Sequence, residues 1–297
     1  MFLWLVGVVA LLVGLFLHHR FSSSSRISSS SVSELKEVAE LFRIKPRRTV
    51  TKENMEDRAG FVWNGSEWIS NDNPQINRTD RVTIYSQNIW FAHERQMERA
   101  QLLLDEIREQ HATVVALQEV QQHVLDVLLR DNFVRQNYAV SNLALVKGYA
   151  VVLFVLRSYS AGFSELPLPT QMGRTAIFGH FHCGRSVATV HLESLENADV
   201  RAEQADAIFN IGKPDVLIGD CNCDASWNED LEDVVAKHAM RDAWGVERGG
   251  GFTRNGKRID RAFLSQRFRT VEMEVLSSRK ISDHFGILVT LAAVEPK

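Results

Sequence analysis

The chain is divided by short apolar runs, each of which ends abruptly in polar or glycine residues. Val216-Leu217-Ile218 is followed by Gly219 and Asp220, and Val114-Val115-Ala116-Leu117 is followed by Gln118 and Glu119. Apolar runs of this length are typical of buried β-strands. Several neighbouring runs lie too close together for a helical crossover. The pattern therefore predicts an α/β protein in which two mixed β-sheets pack face to face, with helices outside.

The spacing of apolar residues predicts more strands than helices. Strands are predicted over 81–85, 113–117, 149–156, 175–181, 186–191, 216–218, 259–264, 271–275 and 287–291. Helices are predicted over 34–42, 94–109, 122–129, 198–211 and 228–237. In addition, 61–63 and 68–69 are short apolar stretches that could pack against the edge of the domain.

Residues able to carry chemistry stand at or near the ends of these strands. Asp220 and Asn222 are two apart, which can place both side chains on one side of an extended chain. Taken singly, each residue also has a structural explanation: Asp-x-Asn is a common turn sequence, and Glu119 could cap the following helix. The full set is Asn88, Glu119, His191, Asp220, Asn222, Asp260, Asp283 and His284.

The order of these residues resembles that of the endonuclease/exonuclease/phosphatase superfamily. The matching motifs are Gln87-Asn88, Gln118-Glu119, His191-Leu192, Gly219-Asp220-Cys221-Asn222, Arg258-Ile259-Asp260-Arg261 and Ser282-Asp283-His284. Six motifs in the same order cover nearly everything between residues 81 and 291. The resemblance implies a four-layer α/β sandwich of two packed mixed β-sheets with outer helices, which agrees with the predicted strands.

Phosphodiester hydrolysis would explain why oxygen ligands gather at these positions. A phosphodiester is anionic and repels nucleophiles, and a hard cation neutralises its oxygens and the leaving group. Mg²⁺ takes oxygen ligands, including one or two carboxylates. We therefore expect Mg²⁺, with Mn²⁺ as a substitute, to be bound by Glu119, with Asp283 and Asn88 beside it.

The remaining residues of the set have expected roles in catalysis. Asp220 would activate a water molecule as a general base, and Asn222 would hold the phosphate. His191 and His284 would donate to the nonbridging phosphate oxygens. Asp260 would orient the imidazole of His284.

Within the superfamily, the tyrosyl-DNA phosphodiesterase 2 type is the most similar. Its His-Leu-Glu-Ser and Arg-x-x-Gln motifs match 191–194 and 201–204. The resemblance implies a nucleic-acid 5′ end bearing a tyrosyl adduct as substrate, DNA or RNA, in the repair of protein–nucleic acid adducts. The substrate-binding residues that it implies are Ser194, Arg201, Trp244, Arg258 and Arg261. Departures from the pattern are Trp90 in place of an acidic residue, Arg254 in place of Trp, and Phe285 in place of Trp.

Other functions remain open at this stage. The same fold could serve a general nuclease, or a membrane-anchored phosphodiesterase acting on a lipid headgroup. A catalytically inactive adaptor would have lost acidic and histidine positions, yet Glu119, Asp220, Asp260, Asp283 and His284 are all present. The overall charge of −3 does not favour polyanions, but residues 241–280 contain ten Lys/Arg against five Asp/Glu, a local basic surface.

The N-terminus predicts a membrane segment. Residues 1–17 are apolar and without charge, just long enough to span a bilayer. We divide the chain into a transmembrane or signal-anchor segment (1–20), a Ser-rich and basic linker with a short helix (21–59) and the catalytic domain (60–297), expected as a monomer. Basic residues after the apolar run place the domain in the cytosol, whereas sequons at Asn64 and Asn77 favour a lumen.

Three cysteines argue against a disulfide framework.

Overall fold

The computed structural model describes residues 50–71, 81–146, 148–224, 231–245 and 250–294. The predicted membrane segment, the Ser-rich stretch, the helix at 34–42 and Asn77 lie outside these ranges. In the described ranges, no helix combines the length and the apolar character needed to cross a bilayer.

The described residues form fifteen strands and five α-helices. The strands are β1 (Glu56–Arg58), β2 (Phe61–Trp63), β3 (Trp68–Ser70), β4 (Arg81–Asn88), β5 (Val114–Val120), β6 (Tyr138–Val140), β7 (Ala150–Leu156), β8 (Ser160–Pro167), β9 (Thr175–Phe181), β10 (Ser186–His191), β11 (Val216–Asp220), β12 (Arg241–Asp242), β13 (Asp260–Leu264), β14 (Phe268–Leu276) and β15 (Gly286–Ala293). The helices are α1 (Gln96–Gln110), α2 (Gln122–Arg130), α3 (Asn132–Asn137), α4 (Ala198–Ala207) and α5 (Glu232–Lys237).

The strands form two mixed sheets. One has the order β14-β15-β4-β5-β7-β6-β2-β3, and the other has the order β1-β8-β9-β10-β11-β13-β12. Each sheet has one central parallel pair, β4 with β5 and β10 with β11, among antiparallel neighbours. Because the carboxyl ends of a parallel pair lie at the same edge, each sheet brings two loops together there.

Three apolar layers hold the architecture together. Ile84, Leu153 and Ile218 belong to the layer between the two sheets. A second layer lies under α1 and α2, where Leu103 and Leu125 are buried, and a third lies under α4. Sheets covered on both faces account for the nearly continuous apolar runs of the sequence. The predicted four-layer α/β sandwich is therefore confirmed.

The structure corrects the predicted linker at its C-terminal end. Glu56–Arg58 pairs with β8, and Met55 packs against the apolar layer under α4, so the folded region begins before residue 60. The stretches 61–63 and 68–69 form a hairpin at the edge of the eight-stranded sheet. The sequence did not predict strands β6 and β8 or helix α3. Strand β8 contains Gly162 and Pro167, which are residue types uncommon within strands, so its sequence is not typical of a strand.

Candidate active site

The predicted site residues converge at one edge of the paired sheets. Asn88 ends β4 and Glu119 lies near the end of β5, while His191 and Asp220 are paired at the ends of β10 and β11. Asp260 begins the antiparallel strand β13 and lies opposite Asp220. The turn containing Asp283 and His284 leads directly into β15.

Unusual backbone conformations shape this edge. Glu119 and Asn222 adopt left-handed conformations, with φ of 59° and 49°, which are uncommon for residues with a side chain. Gly219 has φ of 144°, and a Cβ atom there would lie 2.2 Å from the carbonyl oxygen of Val190. Only glycine fits at that position, and strain of this kind is often found at functional sites.

Asn88 joins two carboxylates. Its Nδ2 donates to Glu119 Oε1 at 3.2 Å and to Asp220 Oδ2 at 2.9 Å, and Phe91 N donates to Glu119 Oε2 at 2.8 Å. Burial raises the pKa of Glu119, although the hydrogen bonds from Phe91 and Asn88 oppose the shift. A cation would offset the cost of keeping these carboxylates charged in a buried site.

The donor set fits a divalent cation. Ligand atoms of Glu119, His191 and Asp220 lie within 4.8 Å of one another, as do those of Asp220, Asp260 and His284. The carboxylate oxygens of Glu119 and Asp220 are ligands that hard cations prefer. Glu119, with Asn88 beside it, is therefore well placed to hold such an ion.

Arg174 sets the tautomer of His191. Its Nη1 lies 3.0 Å from His191 Nδ1, and since a guanidinium can only donate, Nδ1 must accept. The proton is therefore on Nε2, which lies 3.4 Å from Asp220 Oδ2. Burial lowers the pKa of His191 to about 4; the carboxylate of Asp220 opposes the shift and the charge of Arg174 reinforces it. His191 is a neutral hydrogen-bond donor at pH 7.

His284 is a charged donor in the same cluster. Its Nδ1 donates to Asp260 Oδ2 at 2.8 Å, as predicted from the sequence, and its Nε2 lies 3.9 Å from Asp220 Oδ2. Burial opposes protonation, but the negative charge and hydrogen bond of Asp260, together with Asp220 and Asp283, raise the pKa of His284 to about 9. The imidazolium is the form present at pH 7.

Asn222 and Asp283 complete the set that the structure brings together. Asn222 N donates to Asp220 Oδ1 and Asn222 Nδ2 donates to the carbonyl of Leu192, both at 2.9 Å. Asp283 Oδ2 forms an ion pair with Arg254 Nη2 at 2.6 Å. The amide of Asn222 and the guanidinium of Arg254 are thus fixed at the border of the acidic cluster.

With this geometry established, comparison with known proteins gives the family. The sequence model of the Endonuclease/Exonuclease/phosphatase family matches residues 85–284. The chain belongs to this family. No curated protein matches the sequence.

Solved structures with the same fold include TDP2 and the catalytic domain of human Nocturnin. A zebrafish (D. rerio) TDP2 humanized by 14 mutations is 22% identical, with a TM-score of 0.61 over 72% of this chain and 100% of that one. Zebrafish TDP2 complexed with single-strand DNA product is 21% identical, with a TM-score of 0.60 over the same shares. The human Nocturnin catalytic domain with bound sulfate is 18% identical, with a TM-score of 0.57 over 75% and 97%. At these identities the similarity shows the fold.

Ser194 and Arg201 are the first two of the residues expected to bind substrate. Ser194 is half-buried in the loop after His191, and its hydroxyl donates to Met172 Sδ at 3.1 Å. The buried guanidinium of Arg201 donates to the carbonyls of Glu193 and Leu195. Its position favours a role in holding that loop rather than contacting substrate.

The other three expected residues surround Asp242. Its Oδ2 accepts from Arg258 Nη1 and Arg261 Nη2, each at 2.8 Å, and Arg261 is only 1% exposed. Burial opposes ionisation of Asp242, but the charges of Arg261 and Arg258 lower its pKa. Trp244 packs beside this network, against Gly251. Arg261 is therefore buried in the protein beside the site, where its ion pair with Asp242 supports the structure.

Sequence reasoning did not identify Arg99 or Arg174 as site residues. Arg99 lies 4.9 Å from the ring of Trp90 and donates to the carbonyls of Ile89 and Trp90. Trp90 is thus held in place by a buried cation. Arg174 precedes β9 without any motif, and only the pairing of β9 with β10 reveals that it lies beside His191.

Proposed function

We propose that this protein is a divalent-metal-dependent phosphodiesterase that hydrolyses the bond between a tyrosine and the 5′ phosphate of DNA or RNA. The proposal rests on the groups that surround the carboxylate of Asp220. Its Oδ2 accepts from Asn88 and lies 3.4 Å from His191 Nε2 and 3.9 Å from His284 Nε2. A carboxylate between a neutral and a charged imidazole donor can position water beside a phosphate.

Each residue of the site would have its own role in the reaction. Asp220 would take a proton from the attacking water, and the imidazoles of His191 and His284 would donate to phosphate oxygens as negative charge develops there. Asn222 would contact the same phosphate through its free amide hydrogen. A bound Mg²⁺ would supply Lewis-acid neutralisation of the phosphate and of the leaving oxygen. Glu119 and Asn88 would hold it, with Asp283 reachable once Arg254 moves away.

The choice of a tyrosyl–nucleic acid substrate is supported by the solved structures and by local charge. Two of those structures are TDP2, one with a single-strand DNA product. In this chain, Arg254 is a partly exposed cation at the edge of the acidic cluster, in a sequence with a basic surplus over 241–280. Such a cation is suited to a phosphate of the strand end.

A lipid phosphodiester is the second candidate substrate, favoured by apolar exposure near the site. Phe285 follows His284 and is 44% exposed, and Phe252, which is 54% exposed, lies next to Thr253, whose carbonyl accepts from Phe285 N. Leu195, in the loop after His191, is 69% exposed. Exposed apolar side chains around a site can contact either unstacked bases or an acyl surface.

A substrate panel separates the candidates. The full chain would be assayed with a 5′-tyrosyl oligonucleotide, a 3′-tyrosyl oligonucleotide, an unmodified duplex and sphingomyelin vesicles, each with Mg²⁺, Mn²⁺ or excess chelator. We expect hydrolysis of the 5′-tyrosyl substrate that chelator abolishes. Preference for sphingomyelin would transfer the assignment to the lipid candidate, and full activity in chelator would refute both.

A further inference from the structure

Arg99 is a buried cation on α1 that lies against the loop between β4 and α1. It is 8% exposed, and in the described part of the chain every hydrogen bond that its guanidinium donates goes to a backbone carbonyl. A buried charge is costly unless hydrogen bonds compensate for it. The carbonyls that Arg99 contacts therefore show what this residue holds in place.

Five carbonyl oxygens surround the guanidinium, which has five N–H donors. Four of the carbonyls belong to the β4–α1 loop, and the fifth is that of Ile281, which shortly precedes Asp283 and His284 in the chain. The acceptors are Ile89 (2.6 Å from Nη1), Trp90 (3.1 Å from Nη1 and from Nη2), Ala92, Glu94 (2.9 Å from Nε) and Ile281 (3.2 Å from Nη1). One side chain thus joins two segments that lie far apart in sequence.

The loop that Arg99 fixes orients two side chains of the cation site. Trp90 N donates to Asn88 Oδ1 at 2.9 Å, which turns the Nδ2 of Asn88 toward Glu119. Phe91 N donates to Glu119 Oε2 at 2.8 Å. Trp90 has a left-handed backbone with φ of 58°, which is uncommon for a bulky residue and needs support from its surroundings. Two nitrogens of Arg99 hold the Trp90 carbonyl and provide that support.

We propose that Arg99 is a positioning residue of the cation site. Its guanidinium fixes the loop and, through the amides of Trp90 and Phe91, holds Asn88 and Glu119 in the orientation that receives a divalent cation. The inference rests on the metal dependence in the proposed function and adds the group that assembles the site. Residues that orient metal ligands without touching the metal commonly change metal affinity about 10- to 100-fold when they are replaced.

The charge of Arg99 opposes cation binding, which separates two roles for this residue. Burial lowers the pKa of Arg99, while nearby carboxylates, among them Asp283 and Glu119, oppose the shift. Like charges repel, so removal of a residue that acted only through its charge would tighten cation binding. Removal of a residue that positions the ligands would weaken it. The direction of the change in affinity therefore decides between the two roles.

The test compares Arg99→Met with Arg108→Met in the full chain. Methionine keeps aliphatic bulk at both positions and removes the guanidinium. Arg108 lies about two and a half turns further along α1, on the other side of the helix, where it pairs with Asp131 just before α3. Mn²⁺ affinity is measured by calorimetry. Hydrogen exchange in metal-free protein is measured by mass spectrometry for the segments 89–95 and 131–137.

The two variants should differ in both measurements. We expect Arg99→Met to weaken Mn²⁺ affinity by about 10- to 100-fold and to raise hydrogen exchange over 89–95 by about five- to tenfold. Arg108→Met should leave Mn²⁺ affinity unchanged and raise exchange over 131–137 instead. Because exchange needs neither metal nor turnover, it reports on the loop directly.

The outcomes separate the positioning role from the activity. Tighter or unchanged Mn²⁺ binding in Arg99→Met, or unchanged exchange over 89–95, would overturn the inference, as would a wild-type chain that binds no Mn²⁺. If the chain hydrolyses none of the substrates in the panel but Arg99→Met shows both changes, the phosphodiesterase proposal fails and the positioning role stands. Should Arg99→Met fail to fold, Arg99→Lys decides by the same two changes, because lysine keeps the charge but has three donors for five carbonyls.

Discussion

The pair formed by His284 and Asp260 predicts that the proposed activity depends, at alkaline pH, on one buried carboxylate. Asp260 Oδ2 accepts from His284 Nδ1 at 2.8 Å, and both side chains are buried. Asp260→Asn keeps the size and an acceptor oxygen but removes the charge that does most to raise the pKa of His284 to about 9. The imidazolium should then lose its proton at lower pH, and the alkaline limb of the rate profile should move with it.

The magnitude follows from the two pKa values. At pH 8 a group with a pKa of about 9 is about 90% protonated, whereas one at the ordinary value of 6.5 is about 3% protonated. If the reaction needs the imidazolium, a return to the ordinary value would lower kcat/KM about 30-fold at pH 8 but less than about twofold at pH 6. A variant that merely disturbs the fold would lose activity equally at both pH values.

Two measurements check this prediction. The first is kcat/KM between pH 5.5 and 10 for wild type, for Asp260→Asn and for Asp105→Asn, a control on α1 outside the site. The second is a ¹⁵N NMR titration of the His284 ring in metal-free protein. Superimposable profiles for wild type and Asp260→Asn, with an unchanged imidazole titration, would refute the reasoning.

The same pair has a consequence for stability. The folded pKa of His284 lies above its unfolded value of 6.5, so the folded state holds the proton more tightly. The resulting stabilisation is complete below about pH 6.5 and is lost as the pH rises through about 9. Asp260→Asn should remove this pH dependence from denaturant unfolding between these limits.

Three further predictions concern other parts of the site. Asp220→Asn should lower the single-turnover rate by about 10²–10⁴-fold; a near wild-type rate would show that Asp220 is not the base. Glu119→Gln should weaken Mn²⁺ affinity measured directly by calorimetry, and unchanged affinity would place the cation elsewhere. Asp242→Asn should destabilise the fold by about 3–5 kcal/mol in urea unfolding, because it leaves Arg261 buried without its counter-charge, and a loss below about 1 kcal/mol would contradict that role.

The apolar pattern predicted the fold well because sheets covered on both faces need nearly continuous apolar strands. Strands 175–181 and 186–191 have the predicted bounds, and β11 extends the predicted strand 216–218 as far as Asp220. Where a strand lacks that signal, prediction failed: Glu56–Arg58 is entirely charged, and it joins the sheet through backbone pairing with β8 and an ion pair between Arg58 and Glu165. Helix α4 ends at Ala207 and passes into a π-turn over Ile208–Gly212, which apolar spacing does not distinguish from further helix.

Site residues were predictable where they follow strands and less so where charge alone was the signal. Asn88, Glu119, His191 and Asp220 lie at or near the ends of the parallel-paired strands, so their meeting follows from topology. The sequence alone does not reveal whether the guanidinium of an arginine faces substrate or a buried carbonyl. Arg201 and Arg261 are examples of the buried kind.

Arg174 illustrates why the remaining residues escaped sequence analysis. It lies 17 positions before His191, and no local pattern connects the two. The antiparallel pairing of Ala176 with Val190 is what brings them together. Register of this kind depends on cross-strand packing over the whole sheet, which a single sequence does not display.

The basic residues that face the acidic cluster explain how four buried or half-buried carboxylates can exist together before a cation or substrate arrives. Arg254 pairs with Asp283, and the imidazolium of His284 pairs with Asp260. Both partners are cations that a phosphate would also attract. Substrate binding therefore would draw Arg254 toward the phosphate and free the carboxylate of Asp283 at the moment when a metal ion can use it. Arg254 would thus link occupancy of the phosphate site to the charge of the metal site, through a single ion pair of 2.6 Å.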